Sequence, residues 1–154
     1  MDSSKYVKLI SWLSCYKHGV ILNKTQMQKI LFICYGLCLA KFDRPLFTDD
    51  EPRAWPFGPV FPRTYRSYVE VIPPNLTIAE KKEYLKEIDI LREISQIVDL
   101  CYNISANRLS EWSHLKDSPW YKTVFRDENV QWNRTIDNDV IKDFFNNNWQ
   151  SGLL

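Results

Sequence analysis

Between Pro45 and Pro62 the chain reads PLFTDDEPRAWPFGPVFP, five prolines and one glycine in a single run. Proline fixes φ, removes a backbone donor and pushes the residue ahead of it out of the helical region, so a stretch this dense cannot be a regular helix. It is expected to be a structured loop that carries two very short strands. Whatever surrounds it must hold a stiff, donor-poor insert in place.

The surroundings read as helical. Tyr6, Leu9, Ile10 and Leu13 recur at helical spacing up to Lys17, and Gly19 is placed for the left-handed conformation after a helix end. Thr25 to Gln28 has the form of a capping box, and Met27, Ile30, Leu31, Cys34 and Leu37 follow on one face. This second helix is apolar nearly all round, which makes it the central one, and it should stop before Pro45. Pro62 suits the first position of a short helix carrying Arg63, Tyr65, Arg66 and Tyr68, closed by Pro73 and Pro74. Thr77 to Glu80 repeats the capping-box form and opens one long amphipathic helix, with Leu85, Ile88, Leu91, Ile94, Val98 and Cys101 inward and the charges of Glu80 to Arg92 in solvent. Short helices follow at Ser105 to Trp112 and after Ser118-Pro119, and a last one near Asp137 buries Ile141, Phe144 and Phe145. The tail, residues 146–154, is expected to fray. The fold class is mainly α: a single-domain helical bundle over residues 1–154, with a proline-rich structured loop.

The 20 Lys and Arg balance 19 Asp and Glu, so no overall field gathers nucleic acid or acidic membrane, and any basic site is local. The opening residues are interrupted by Ser11, Ser14 and Lys17 and lack the apolar run of a signal peptide or a membrane span; the expected location is the cytoplasm. Cys15, Cys34, Cys38 and Cys101 all fall inside helical patterns and read as reduced, buried thiols. Cys34 and Cys38 are four residues apart and with His18 or His114 would offer zinc ligands, but buried thiols are the simpler reading, and neither metal nor cofactor is expected.

Two segments go beyond composition, LNKTQMQKILFICYGLCLAKFDRPLFTDDEPRAWPFGPVFPRTYRSY (Leu22 to Tyr68) and LSEWSHLKDSPWYKTV (Leu109 to Val124). In order and spacing, Gln28-Lys29-Ile30-Leu31-Phe32, Pro45-Leu46-Phe47, Arg53-Ala54-Trp55, Gly58-Pro59-Val60, Leu109-Ser110, Ser113-His114 and Pro119-Trp120 resemble the SocA-like, or Panacea, antitoxin domain. Met27 stands where that family usually has leucine, Phe32 where tyrosine is common and Arg53 where glutamate often precedes Ala-Trp. The resemblance implies an antitoxin that binds a cognate toxin directly. A protease adaptor that delivers the toxin for degradation is the alternative within the family. Neither role needs an active site.

Arg53, Trp55, Phe57, Gly58, Pro59, Val60, Arg63 and Arg66 form the candidate partner-binding set, because aromatics and forked guanidiniums on a stiff backbone lose little entropy on docking. Within it, Trp55, Gly58 and Val60 read first as residues that plug the bundle, and Phe57, Arg63 and Arg66 as those that reach a partner. Asp49, Asp50 and Glu51 offset the nearby positive charge, which speaks against nucleic acid. His114, Pro119 and Trp120 read as a structural turn. Arg108 and His114 also have the spacing of the HEPN ribonuclease motif, which would make a metal-independent ribonuclease a second alternative. No other catalytic set is evident, and the chain is not expected to be an enzyme.

Overall fold

A computed structural model describes residues 1–153. In chain order the elements are α1 (Ser3–His18), α2 (Lys24–Phe42), β1 (Arg53–Trp55), β2 (Gly58–Val60), α3 (Pro62–Ser67), α4 (Ile78–Leu85), α5 (Ile88–Cys101), α6 (Ala106–Ser113), α7 (Pro119–Val124), β3 (Arg134–Thr135) and α8 (Asn138–Asn146). The fold is mainly α, with the strands confined to one small sheet of order β2-β1-β3. No helix among the described residues is long and apolar enough to cross a membrane.

The architecture follows from α2. Met27 to Leu39 are buried without interruption, so the helix has no solvent face and must be covered from several directions. α1, α5, α6, α8 and β2 do so. Its start is a capping box, but two residues earlier than the sequence suggests: Asn23 accepts from the Gln26 amide and Gln26 accepts from the Asn23 amide. Asp43, in the left-handed conformation, closes the other end. α1 ends as expected, with Gly19 at φ 69° donating to the Cys15 carbonyl.

The long helix opening at Thr77 is two helices. The capping box of Thr77 and Glu80 forms, but the chain breaks at Lys86 and Glu87 before α5 begins. The break turns Tyr84 and Glu87 onto α1, where the Tyr84 hydroxyl donates to the Lys5 carbonyl (2.7 Å) and the Tyr6 hydroxyl to Glu87 (2.9 Å). Leu85 is consequently 56% exposed and Ile88 is exposed as well, whereas Ile94, Val98 and Cys101 are inward as expected. The tail is ordered rather than frayed. Trp149 and Leu153 are buried, the Trp112 indole donates to the Trp149 carbonyl (2.8 Å) and Arg108 to that of Leu153 (3.1 Å). Leu154 lies outside the described residues.

α8 closes over α2 at Gly36. An added Cβ there would fall inside the van der Waals envelope of the Phe145 ring, itself packed against Phe32 and Trp112. Replacing a mid-helix glycine by alanine ordinarily stabilises by about 1 kcal/mol, but overpacking a core costs about 1–3 kcal/mol. The ring is buried, so the second effect should win. Gly36→Ala is therefore expected to lower stability by up to about 2 kcal/mol, read as a lower urea midpoint at unchanged slope.

Candidate partner-binding site

The proline-rich run folds into a hairpin. β1 pairs antiparallel with β2 in the register Arg53↔Val60, Ala54↔Pro59, Trp55↔Gly58, leaving Pro56 and Phe57 as the turn. β3, which the sequence did not suggest, pairs with the other edge of β1, with Ala54 opposite Arg134. Gly58 sits at φ 114°, and a Cβ on it would lie 2.6 Å from Ser113 Oγ and 2.7 Å from Lys29 Cε. Only glycine lets the returning strand lie this close to both α2 and the end of α6.

Pro56 and Pro59 have no N–H, so around them the hairpin chiefly presents carbonyls, and the residues packed against it must be donors. They are. The Trp120 indole donates to the Trp55 carbonyl (2.6 Å), His114 Nε2 pairs with the Pro56 carbonyl (3.2 Å) and Lys29 Nζ donates to the Pro59 carbonyl (3.3 Å). A carbonyl can only accept, so His114 must carry its proton on Nε2. Burial lowers its pKa, the Pro56 hydrogen bond opposes that, and nearby Lys29 lowers it further. The imidazole packs edge-on against Trp120 at 4.0 Å between centroids. Gln28, also buried, completes the seat by accepting from the Phe61 amide (2.8 Å) and donating to Thr64 (3.1 Å).

This anchoring divides the candidate set. Gly58, Pro59 and Val60 are buried. Trp55 is half-buried, edge-on to Tyr65 and donating to Asn133, and half-buried Arg53 donates to the Asn133 carbonyl and pairs with Glu51. Phe57, at the turn, is 67% exposed. Arg63 and Arg66 are exposed on α3, Arg63 with Asp49 at 3.5 Å. The acidic triplet is internally engaged: Asp49 accepts from Ser3, Asp50 from the Arg63 amide and Glu51 from Thr135. Arg108 and His114 serve separate tasks, one holding the C-terminal tail and the other the hairpin turn. Burial pushes the thiols of Cys34, Cys38 and Cys101 up, Cys38 to about 11 and Cys101 to about 12. Among the described residues no group of three or more His, Cys, Asp or Glu is placed to hold a metal ion.

The candidate set omitted Lys29, which is 1% exposed. Its signal was legible: a lysine, beside Gln28, at the head of a run that is otherwise apolar from Ile30 to Leu39. Desolvation lowers its pKa to about 8, and no carboxylate offsets the effect. Beside it opens a pocket of about 150 Å³ lined by Thr25, Gln28, Lys29, Phe57, Val60 and Tyr65.

The pieces that meet here, Gln28-Lys29, the hairpin, Ser113-His114 and Trp120, span most of the length over which the chain matches the family model described as antitoxin SocA-like, Panacea domain, residues 27–121. The chain belongs to that family. It is similar to antitoxin SocA of Caulobacter vibrioides (strain NA1000 / CB15N), with 29% identity over 110 residues, 64% of this chain. The chain covers 58% of the length of that relative. No solved structure gives a significant match. In this Panacea-domain protein, the matched length thus contains the groups that seat one exposed hairpin turn.

The Lys29 shift has a definite sign. Its ordinary value is 10.5 and its folded value about 8, so the stability it contributes is full above 10.5 and is lost as pH falls through about 8. The whole displacement corresponds to about 3 kcal/mol. Relative to Lys29→Met, the wild type should gain about 3 kcal/mol between pH 8 and 10.5, measured by urea unfolding of both proteins across that range.

Proposed function

We propose that this protein is an antitoxin that neutralises a partner toxin by direct binding, through the hairpin turn and the adjoining face of α3. The observation that carries the reading is Phe57: a large apolar side chain 67% exposed on a turn whose backbone is held by three helices through Trp120, His114 and Lys29. An exposed aromatic on a mobile loop would lose entropy on docking; one on a braced turn has already lost it. Arg66 and Arg63, exposed on α3, add forked donors, the type of group enriched at binding hot spots. Family membership, and the name antitoxin borne by the relative from Caulobacter, support the same role.

Co-expression with the product of the adjacent gene should rescue growth and yield a complex that survives gel filtration; failure of every neighbouring product to bind would remove the reading. Phe57→Ala and Arg66→Ala are each expected to weaken that complex about tenfold or more, in keeping with hot-spot truncations, at unchanged helicity by circular dichroism. Arg92→Ala, on the exposed side of α5, should leave affinity unaltered. Delivery to a protease would differ from sequestration in one quantity, a shortened toxin lifetime in cells.

A further inference from the structure

Lys29 is built into the site at a cost to stability, and its contact with the Pro59 carbonyl at 3.3 Å uses only one of the three donors an ammonium carries. No Asp or Glu among the described residues pairs with it or offsets its desolvation. The pocket beside it contains no acidic residue. At its edge Lys24 Nζ stands 4.7 Å from the centroid of the Tyr65 ring, which adds a second positive charge. At about 150 Å³ the space is smaller than the roughly 300–1,000 Å³ of small-molecule sites, and cavities near 150 Å³ hold single groups of about benzene size. One of its walls is Phe57, the residue assigned above to partner contact.

We propose that this pocket receives a single Asp or Glu side chain of the protein partner, whose carboxylate pairs with the Lys29 ammonium while Phe57 and Tyr65 flank its stem. This rests on the reading of the hairpin face as the toxin-binding surface. It supplies the missing counter-charge. The free protein holds a buried cation without an anion, and the complex completes the pair in a site from which the partner excludes water, where a charge-assisted bond is strongest. The same arrangement selects against partners that present an amide or an apolar residue there, because these would leave the ammonium sealed in without compensation.

The probe is N-acetyl-glutamate N-methylamide, with N-acetyl-glutamine N-methylamide as its isosteric neutral control. Titration of the wild-type protein, followed by the Lys29 side-chain resonances, should show saturable binding of the glutamate compound alone and a rise of the Lys29 pKa when it is bound. Equal response to both compounds, or to neither, overturns the proposal. In the complex with the adjacent gene's product, Lys29→Met should weaken affinity about thirtyfold or more, as truncation of one member of a buried charge pair does, without lowering the melting temperature at pH 7. One Asp→Asn or Glu→Gln change in the partner should reproduce that loss and be non-additive with Lys29→Met. Unchanged affinity of Lys29→Met refutes the pocket and leaves the binding surface standing. A loss traced to the partner's terminal carboxylate refutes the side-chain assignment. Failure of the wild type to bind any neighbouring product, with the glutamate compound still bound, removes the antitoxin reading instead.

Discussion

A helix of 19 residues that is buried from Met27 to Leu39 has no direction in which a polar side chain can reach water, and this constraint on α2 organises the molecule. Each neighbour covers one sector: α8 through Phe145 over Gly36, α1, α5 and α6 elsewhere, and β2 over the turn that carries Gln28 and Lys29. The polar residues on that turn are trapped, so their partners must come from whatever lies above them. Gln28 is satisfied by the Phe61 amide and Thr64, Lys29 by one carbonyl only. No buried side-chain polar atom among the described residues is left without a partner, yet a single long hydrogen bond is thin support for an ammonium at this depth.

The hairpin solves a complementary problem. Prolines at 56 and 59 strip it of donors at those positions, and carbonyls facing the protein would be costly if left unpaired. The three side chains that meet them are a tryptophan of α7, a lysine of α2 and the histidine that caps the end of α6. Tryptophan and lysine are donors only, and the histidine is fixed in its donor tautomer by what it faces. This is why motif fragments scattered over residues 27–121 converge in space: a proline-stiffened turn needs donors on each side of it, and no one helix can supply them all.

Much of this was legible residue by residue. Gly19, Ser118-Pro119, Pro62 and Thr77-Glu80 each do locally what their chemistry dictates, and the proline run could hardly be anything but a turn between short strands. Three features were hidden because tertiary contacts decide them. The break at Lys86-Glu87 has no proline or glycine to announce it, and Leu85, Ile88 and Leu91 continue a helical period straight across; it is the pairing of Tyr84 and Glu87 with α1 that bends the chain. The tail looks polar at Asn146 to Asn148, but Trp149 folds back over Trp112, and Leu153 is buried with its carbonyl on Arg108. Two-residue β3 is too short for any periodicity, and it exists because the other edge of β1 needs a partner. Within the site, residue type alone did not separate anchors from contacts: Val60 and Phe57 are both apolar, and only the register, with Gly58 forced down onto Lys29, turns one inward and the other out.

Lys29 shows the same limit from the other side. Its place in an apolar run marked it as anomalous, but the sequence could not show that its pairing would be left incomplete. A leucine or methionine there would satisfy the demands of α2 packing at no desolvation cost, so core formation alone does not account for the charge. Anchoring of the hairpin calls for a donor to the Pro59 carbonyl, but a neutral donor would serve that purpose without a charge. What a lysine adds, and an apolar residue cannot, is a positive charge held in low dielectric beside an opening large enough for one side chain. Residues that lower the stability of the free protein concentrate where a second molecule restores what is missing, and the position of this one, under the turn that carries Phe57, ties a destabilised point of the core to the proposed binding face.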